Sequence, residues 1–504
     1  MPKEVVKAIE RFKELDQRIS HFTDISALLD WDANTGAPKK GVPMFSKAKG
    51  TLSAEIFKLL TSEEMGDCLE VLTSAEGQAE LDDITRAAVR YRKREYDNFK
   101  KVPAELHKEL VIHASNAHTV WVEAKQTNNF AHFEPTLAKM VDLQRRLIEC
   151  YGYEEHPYDA LLDGYEPGLT VAKLDPLFKD LRDKTVQLLK RLMNSKDRPS
   201  NKVLFEEYDV DKQKEFNLFI LPKLGYDLSA GRLDISEHPF AQSINTGDVR
   251  ITTRYKKNDL RSSLFGTIHE CGHALYEQGI NPAFEETAIR RGTSFGIHES
   301  QSRFLENMVG RSYPFWTYFY DDLQRHFPQL KNLPLEDFYR AINTVEPSFI
   351  RVEADELTYN LHIMVRYEIE KALMNGEIEV KELPRIWNEK MEEYLGIVPP
   401  TDTLGVLQDV HWSFGGFGYF PSYSLGNLYA AQILNTIERE IPDFYSLIAN
   451  GEFAVIREWL RENIHQHGAM YTPDELIVKV TGEELNAEYL VKYLEEKYSK
   501  IYRL

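Results

Sequence analysis

Two histidines four residues apart, with a glutamate beside the first, make His269-Glu270-Cys271-Gly272-His273 the stretch with the clearest chemical content in this chain. On a helix, side chains four apart project from adjacent turns of one face, so both imidazoles can reach one zinc ion. Glu270 then sits beside the metal rather than on it, where a carboxylate can take a proton from the attacking water and later deliver it to a leaving amine. With 15 His in 504 residues, the pattern H-E-x-x-H arises by chance about 0.04 times in such a chain. That sets the catalytic reading above the plainer one, a surface helix with two ordinary histidines. A catalytic zinc also needs a third protein ligand and an open position. His298 and Glu299 lie at the start of a further helical stretch, and Glu299, 26 positions after His273, completes a His-His-Glu set. Glu277, Glu285, Glu286 and Glu306 compete for that place, since most glutamates on such helices are merely solvated.

The elements that must position these groups are legible in outline. Asn258 or Asp259 can cap a helix that runs to Gly279, whose tolerance of positive φ suits a helix stop. Leu264, Ile268 and Leu275 give that helix its buried face, and Cys271 points away from the ligand pair into the core. Residues 233 to 259 break the helical pattern: DVRITTRY is a β-favouring run, and Asn245-Thr246-Gly247-Asp248 is a turn. A small antiparallel sheet is expected beside the metal motif. Elsewhere helix dominates, beginning with Val5, Ile9, Phe12, Leu15, Ile19 and Phe22 on one stripe. IHQHG at 464 to 468 has its histidines two apart, which points them to different sides of a helix, so it reads as a helix end at Gly468. With no repeat, low-complexity stretch or Ser/Gly linker, the expected organisation is one large, mainly α domain over residues 1–504.

A formal net charge of -19 repels phosphate backbones and anionic headgroups, which argues against nucleic acid or membrane as partners. Three widely spaced cysteines argue against a disulfide framework and for a reducing compartment. The first residues lack the layout of a secretion signal, and there is no apolar run long enough to cross a bilayer. The expectation is a cytoplasmic enzyme.

HPF at 238–240, DVRIT at 248–252, HECGH at 269–273, HESQ at 298–301, IRVEAD at 350–355 and GVLQDVHW at 405–412 resemble, in order, the motif set of the Taq-type metallocarboxypeptidases, also called the thermostable carboxypeptidase 1 family. The likeness extends to LLDWDANTGAPKKG near the start and ENIHQHGAMYTPDELIVKVTGEEL near the end. It implies a helical, saddle-shaped body with a deep active-site groove and a homodimer. It also implies one divalent metal ion per subunit, with Zn2+ expected and Co2+ the alternative, and removal of C-terminal amino acids from peptides with a free C-terminus. Glu299 becomes the third ligand on the same ground.

A carboxypeptidase must grip the terminal α-carboxylate, and the planar fork of Arg suits that task. Arg351 and Arg250 are the matching positions, with Arg351 as the main clamp and Arg250 assisting. The plainer reading of either is an Arg paired with a structural Asp, for instance Arg351 with Asp355 one turn on. The strand ITTRY can also pair with an extended substrate backbone. In the Gly- and aromatic-rich stretch 405–427, His411 with Tyr423 or Tyr419 can donate to the oxyanion that forms as the carbonyl is attacked. Angiotensin-converting enzyme is similar in having a His and a Tyr in comparable order. His238 is expected to line the groove. Two other functions share parts of this pattern. A zinc endopeptidase or oligopeptidase would accept amidated peptides equally, whereas a helical scaffold with a structural metal would need a fourth protein ligand, and none is evident.

Overall fold

The apolar stripe from Val5 onward lies on one helix, α1 (Lys3–Thr35), with Val5, Phe12, Leu15 and Ile19 buried. The computed structural model describes residues 2–504, and 70% of the chain is helical. The mainly α expectation therefore holds. The chain forms two compact units: the stretch up to Lys100 with Asn201–Ile342 and Ile433–Glu483, and Lys101–Ser200 with Asn343–Gln432 and Glu484–Leu504.

In the first unit, β1 (Leu233–Ile235), β2 (Ala241–Asn245) and β3 (Asp248–Thr253) form one sheet in the order β1-β3-β2. β2 and β3 are the expected antiparallel hairpin, closed at Thr246-Gly247, where Asn245 Oδ1 accepts from the Gly247 N–H at 3.0 Å. The sheet as a whole is mixed rather than antiparallel, because β1 pairs with β3 in parallel. The reason lies in residues 236–240, which carry the chain from one edge of β3 to the other. Ser236 N–H donates to Thr253 O, and Phe240 O accepts from Thr252 N–H.

The helix α2 (Leu260–Gly279) packs against β2 and β3 and carries the His269–His273 pair. Asp259 caps it, accepting from the Arg261 N–H at 3.1 Å. Its far end differs from expectation, since Gly279 is its last helical residue and is not among the positive-φ glycines. A Cβ at Gly279 would lie 2.7 Å from that of His465, so packing requires the glycine there. Gly468, by contrast, does adopt φ +48 as it ends a short 3-10 turn. A second helix, α3 (Phe295–Arg303), is capped by Ser294 and continues as a π-helical stretch, Phe304–Gly310. Such wide turns concentrate at functional sites.

The second unit is organised around α4 (Glu356–Met374), which is buried on nearly every side, as befits a core helix rather than a surface one. Asp355 caps it, accepting from the N–H groups of Leu357 and Thr358 and from the Thr358 hydroxyl. The stretch 411–420 leads into α5 (Pro421–Glu440), whose residues up to Gln432 belong to this unit.

Candidate active site

The i, i+4 spacing on α2 sets His269 and His273 on one face, with ring centroids 5.0 Å apart. Glu299, one turn into α3, approaches both: its Oε2 lies 3.6 Å from His269 Nε2 and 3.3 Å from His273 Nε2. These three residues form a group able to hold a metal ion, their ligand atoms lying within 4.8 Å of one another. The approach of the two helices depends on Gly272. A Cβ there would lie 2.5 Å from Gln301 O and 2.6 Å from Ser302 Cα, so any larger residue inside the motif would push the third ligand away.

The donor chemistry fits a divalent cation. His269 Nδ1 is tied to Glu306 Oε2 at 2.9 Å and His273 Nδ1 to His298 Nδ1 at 2.6 Å, which leaves both Nε2 atoms turned toward Glu299. Burial pushes His273 down to about 4, so its imidazole is neutral and ready to ligate at neutral pH. Burial also works against charge on His269, but Glu299 and the bond from Glu306 outweigh it and raise its pKa. For Glu299, Arg303 and the two histidines outweigh burial and hold its carboxyl well below the usual range. Arg303 Nε donates to Glu299 Oε1 at 2.7 Å, and Arg311 Nη2 donates to Glu306 Oε1 at 3.1 Å. Glu270, only 6% exposed, is pushed up to about 7 by burial, with Glu299 and Glu306 adding to the effect against His269.

By sequence, Glu277, Glu285, Glu286 and Glu306 are rivals of Glu299 for the third place. Glu306 and Glu277 instead bond to His269 and His298, Glu285 accepts from Thr246, and Glu286 pairs with His21. Cys271 is fully buried, and His465 bonds to Gln301. Arg250 on β3 is clamped by Asp248 through two bonds of 2.7 Å and stands over the Trp31 ring, the plainer reading of that residue. His238 sits exposed in the turn between β1 and β2, its carbonyl accepting from Ser236.

The second unit brings Arg351, His411, Tyr419 and Tyr423 together. Arg351 donates through Nε and Nη2 to Asp409 Oδ1 at 3.1 and 2.9 Å and through Nη1 to Tyr359 Oη at 3.1 Å, with the Tyr423 ring 4.9 Å below. Its partner is therefore Asp409, not Asp355, which is occupied in capping α4. Arg366, fully buried, donates to the other oxygen, Asp409 Oδ2, at 2.7 Å and to Gln408 Oε1 at 2.8 Å. The two guanidiniums overcome burial and keep Asp409 well below the usual carboxylate range. His411 lies 5.6 Å from Tyr419 and 6.4 Å from Tyr423, and burial pushes its pKa down to about 4. Sequence reasoning missed Arg366 and Glu370. The latter accepts from Trp412 Nε1, Tyr158 Oη and Gly418 N–H at 2.7, 2.5 and 2.8 Å, anchoring the loop on both sides of Phe414. Neither residue lies in a quoted motif, and their helix also carries Glu356, His362, Glu368 and Lys371, so nothing local marked these two.

Residues 11–498 match the family model described as carboxypeptidase Taq (M32) metallopeptidase. The chain is 49% identical over 496 residues to carboxypeptidase 1 of Bacillus subtilis strain 168, with 98% of this chain and 99% of that one covered. It is 41% identical over 507 residues to thermostable carboxypeptidase 1 of Thermus thermophilus, again covering 98% and 99%. Against the crystal structure of the M32 carboxypeptidase from Deinococcus radiodurans R1 the TM-score is 0.96 at 35% identity, over 99% of this chain and 100% of that one. With a His-His-Glu group able to hold a metal ion, the chain belongs to the carboxypeptidase Taq (M32) family and is a metallocarboxypeptidase.

Proposed function

We propose that the enzyme removes C-terminal residues from peptides with a free C-terminus, using one Zn2+ per subunit held by His269, His273 and Glu299, with Co2+ as a working substitute. The observation that carries this reading is the convergence of the two Nε2 atoms on Glu299 Oε2, with Glu270 buried alongside. A divalent cation there supplies Lewis-acid polarisation of the scissile carbonyl and acidifies the attacking water. Glu270 accepts that water's proton and passes it to the leaving amine. His411 with Tyr423 or Tyr419 donates to the developing oxyanion.

Arg351 reads the terminal carboxylate. Of its five N–H groups, two go to Asp409 and one to Tyr359, so one remains on each terminal nitrogen for a carboxylate. Arg250, His238 and the β3 strand assist in seating the peptide. The chain works as one catalytic domain over residues 1–504 and as a homodimer, which the family resemblance supports. The free cysteines Cys68, Cys150 and Cys271 suit a cytoplasmic location. The test is to incubate chelator-stripped and metal-restored protein with free and amidated versions of a mixed peptide set and to read the products by mass. Stepwise loss from free C-termini only after metal is restored is expected. Equal cleavage of amidated peptides would instead mark an endopeptidase.

A further inference from the structure

The two histidines on α2 are backed differently. His269 Nδ1 meets a carboxylate directly, that of Glu306 at 2.9 Å. His273 Nδ1 meets another imidazole, His298 Nδ1 at 2.6 Å, and His298 Nε2 in turn meets Glu277 Oε1 at 2.8 Å. Glu277 lies one turn beyond His273 on α2, and His298 directly precedes Glu299 on α3. Between two ring nitrogens 2.6 Å apart only one can carry the hydrogen. One assignment satisfies every atom: His298 Nε2–H donates to Glu277, the bare His298 Nδ1 accepts from His273 Nδ1–H, and His273 Nε2 keeps its lone pair facing Glu299. Both His ligands are thus held in the same tautomer, one by a carboxylate and the other by a carboxylate acting across an interposed ring.

The interposed ring is itself fixed. Tyr276 packs on it with centroids 5.1 Å apart, and the Tyr276 hydroxyl accepts from the Thr293 N–H at 3.1 Å. On the backbone side stands Gly292, where a Cβ would lie 2.6 Å from His298 Cδ2. Gly292 is not among the positive-φ glycines, so its lack of a side chain serves the space that His298 fills.

We propose that His298 is a positioning residue for the metal centre: it orients His273 and conveys to it the negative charge of Glu277, without ligating metal itself. The proposal rests on the metal-centre reading above, and its test separates the two. Zn2+ affinity is measured by competition with a chromophoric chelator for the parent, His298→Ala, Glu277→Gln, Gly292→Ala and Glu299→Ala, and the visible spectrum of the Co2+ form is recorded for each. His298→Ala is expected to weaken Zn2+ binding about 10–100-fold. Glu277→Gln, which keeps an acceptor but loses the charge, is expected to weaken it about 10-fold. Gly292→Ala alters no group in the chain of bonds, yet displaces the ring, and should weaken Zn2+ and shift the Co2+ bands as well. A merely structural role would leave those bands where they are. If His298→Ala does not fold, Gly292→Ala and Glu277→Gln decide. Zn2+ affinity within twofold of the parent and unshifted Co2+ bands in the folded variants would overturn the role of His298. Should Glu299→Ala also bind Zn2+ like the parent, the fault lies with the metal centre instead.

Discussion

Two buried charge clusters, one in each compact unit, are unbalanced in opposite senses. Around His269 and His273 the carboxylates of Glu270, Glu277, Glu299 and Glu306 gather, with Arg303 and Arg311 as their fixed counter-ions. Around Arg351 the balance reverses, since two guanidiniums share the single carboxylate of Asp409. Burying unmatched charge is costly unless a partner compensates it. One cluster carries surplus carboxylates and the other a surplus guanidinium, which suits the metal proposed for the first and the substrate carboxylate proposed for the second.

The largest expected effect tests the first cluster without removing any of the three candidate metal ligands. Glu270→Gln should retain metal, measured by elemental analysis, while kcat falls at least about 10³-fold, the scale of a lost general base. Glu299→Ala should weaken metal binding by more than the roughly 10–100-fold that changes in outer partners cost, read by equilibrium dialysis. For the second cluster, Arg351→Ala should lower kcat/KM on free-acid peptides about 100-fold, equivalent to about 3 kcal/mol, with little change on the amidated versions. An equal loss on both would deny Arg351 a part in reading the carboxylate. The smallest effect is on stability. Burial pushes Glu370 up to about 7 from an ordinary 4.5, so the folded state holds its proton longer than the unfolded one. Its contribution is full below pH 4.5 and is lost as pH rises through 7. Between pH 5 and pH 8 the parent's melting temperature should fall by roughly 3 °C more than that of Glu370→Gln.

Sequence read the first cluster better than the second, for a physical reason. The His269–His273 pair is encoded by helical spacing alone, and the cap by residue type, with Asn258 and Asp259 both eligible and the structure using Asp259. Glu299 needed the family resemblance, because which glutamate faces the pair depends on how closely α3 approaches α2, and that is set by Gly272. The hairpin was legible from its turn, whereas the parallel pairing of β1 depends on a crossover that leaves no local mark. Arg351 has a carboxylate one turn away at Asp355, the partner that spacing suggests, but it bonds to one 58 positions distant. Nothing local distinguishes the two. The compact units leave no linker in the sequence, since each is assembled from three separated stretches.

That interleaving bears on how the protein is made. The metal ligands emerge by residue 299, yet His465, which packs on Tyr276 and bonds to Gln301 across 164 positions, belongs to the last stretch of the same unit. Closing so long a loop is entropically demanding, and contacts of such range are slow to form. A ribosome therefore exposes the His-His-Glu set long before the wall behind it exists. Completion of the wall behind the centre is thus a late event in the life of the nascent chain.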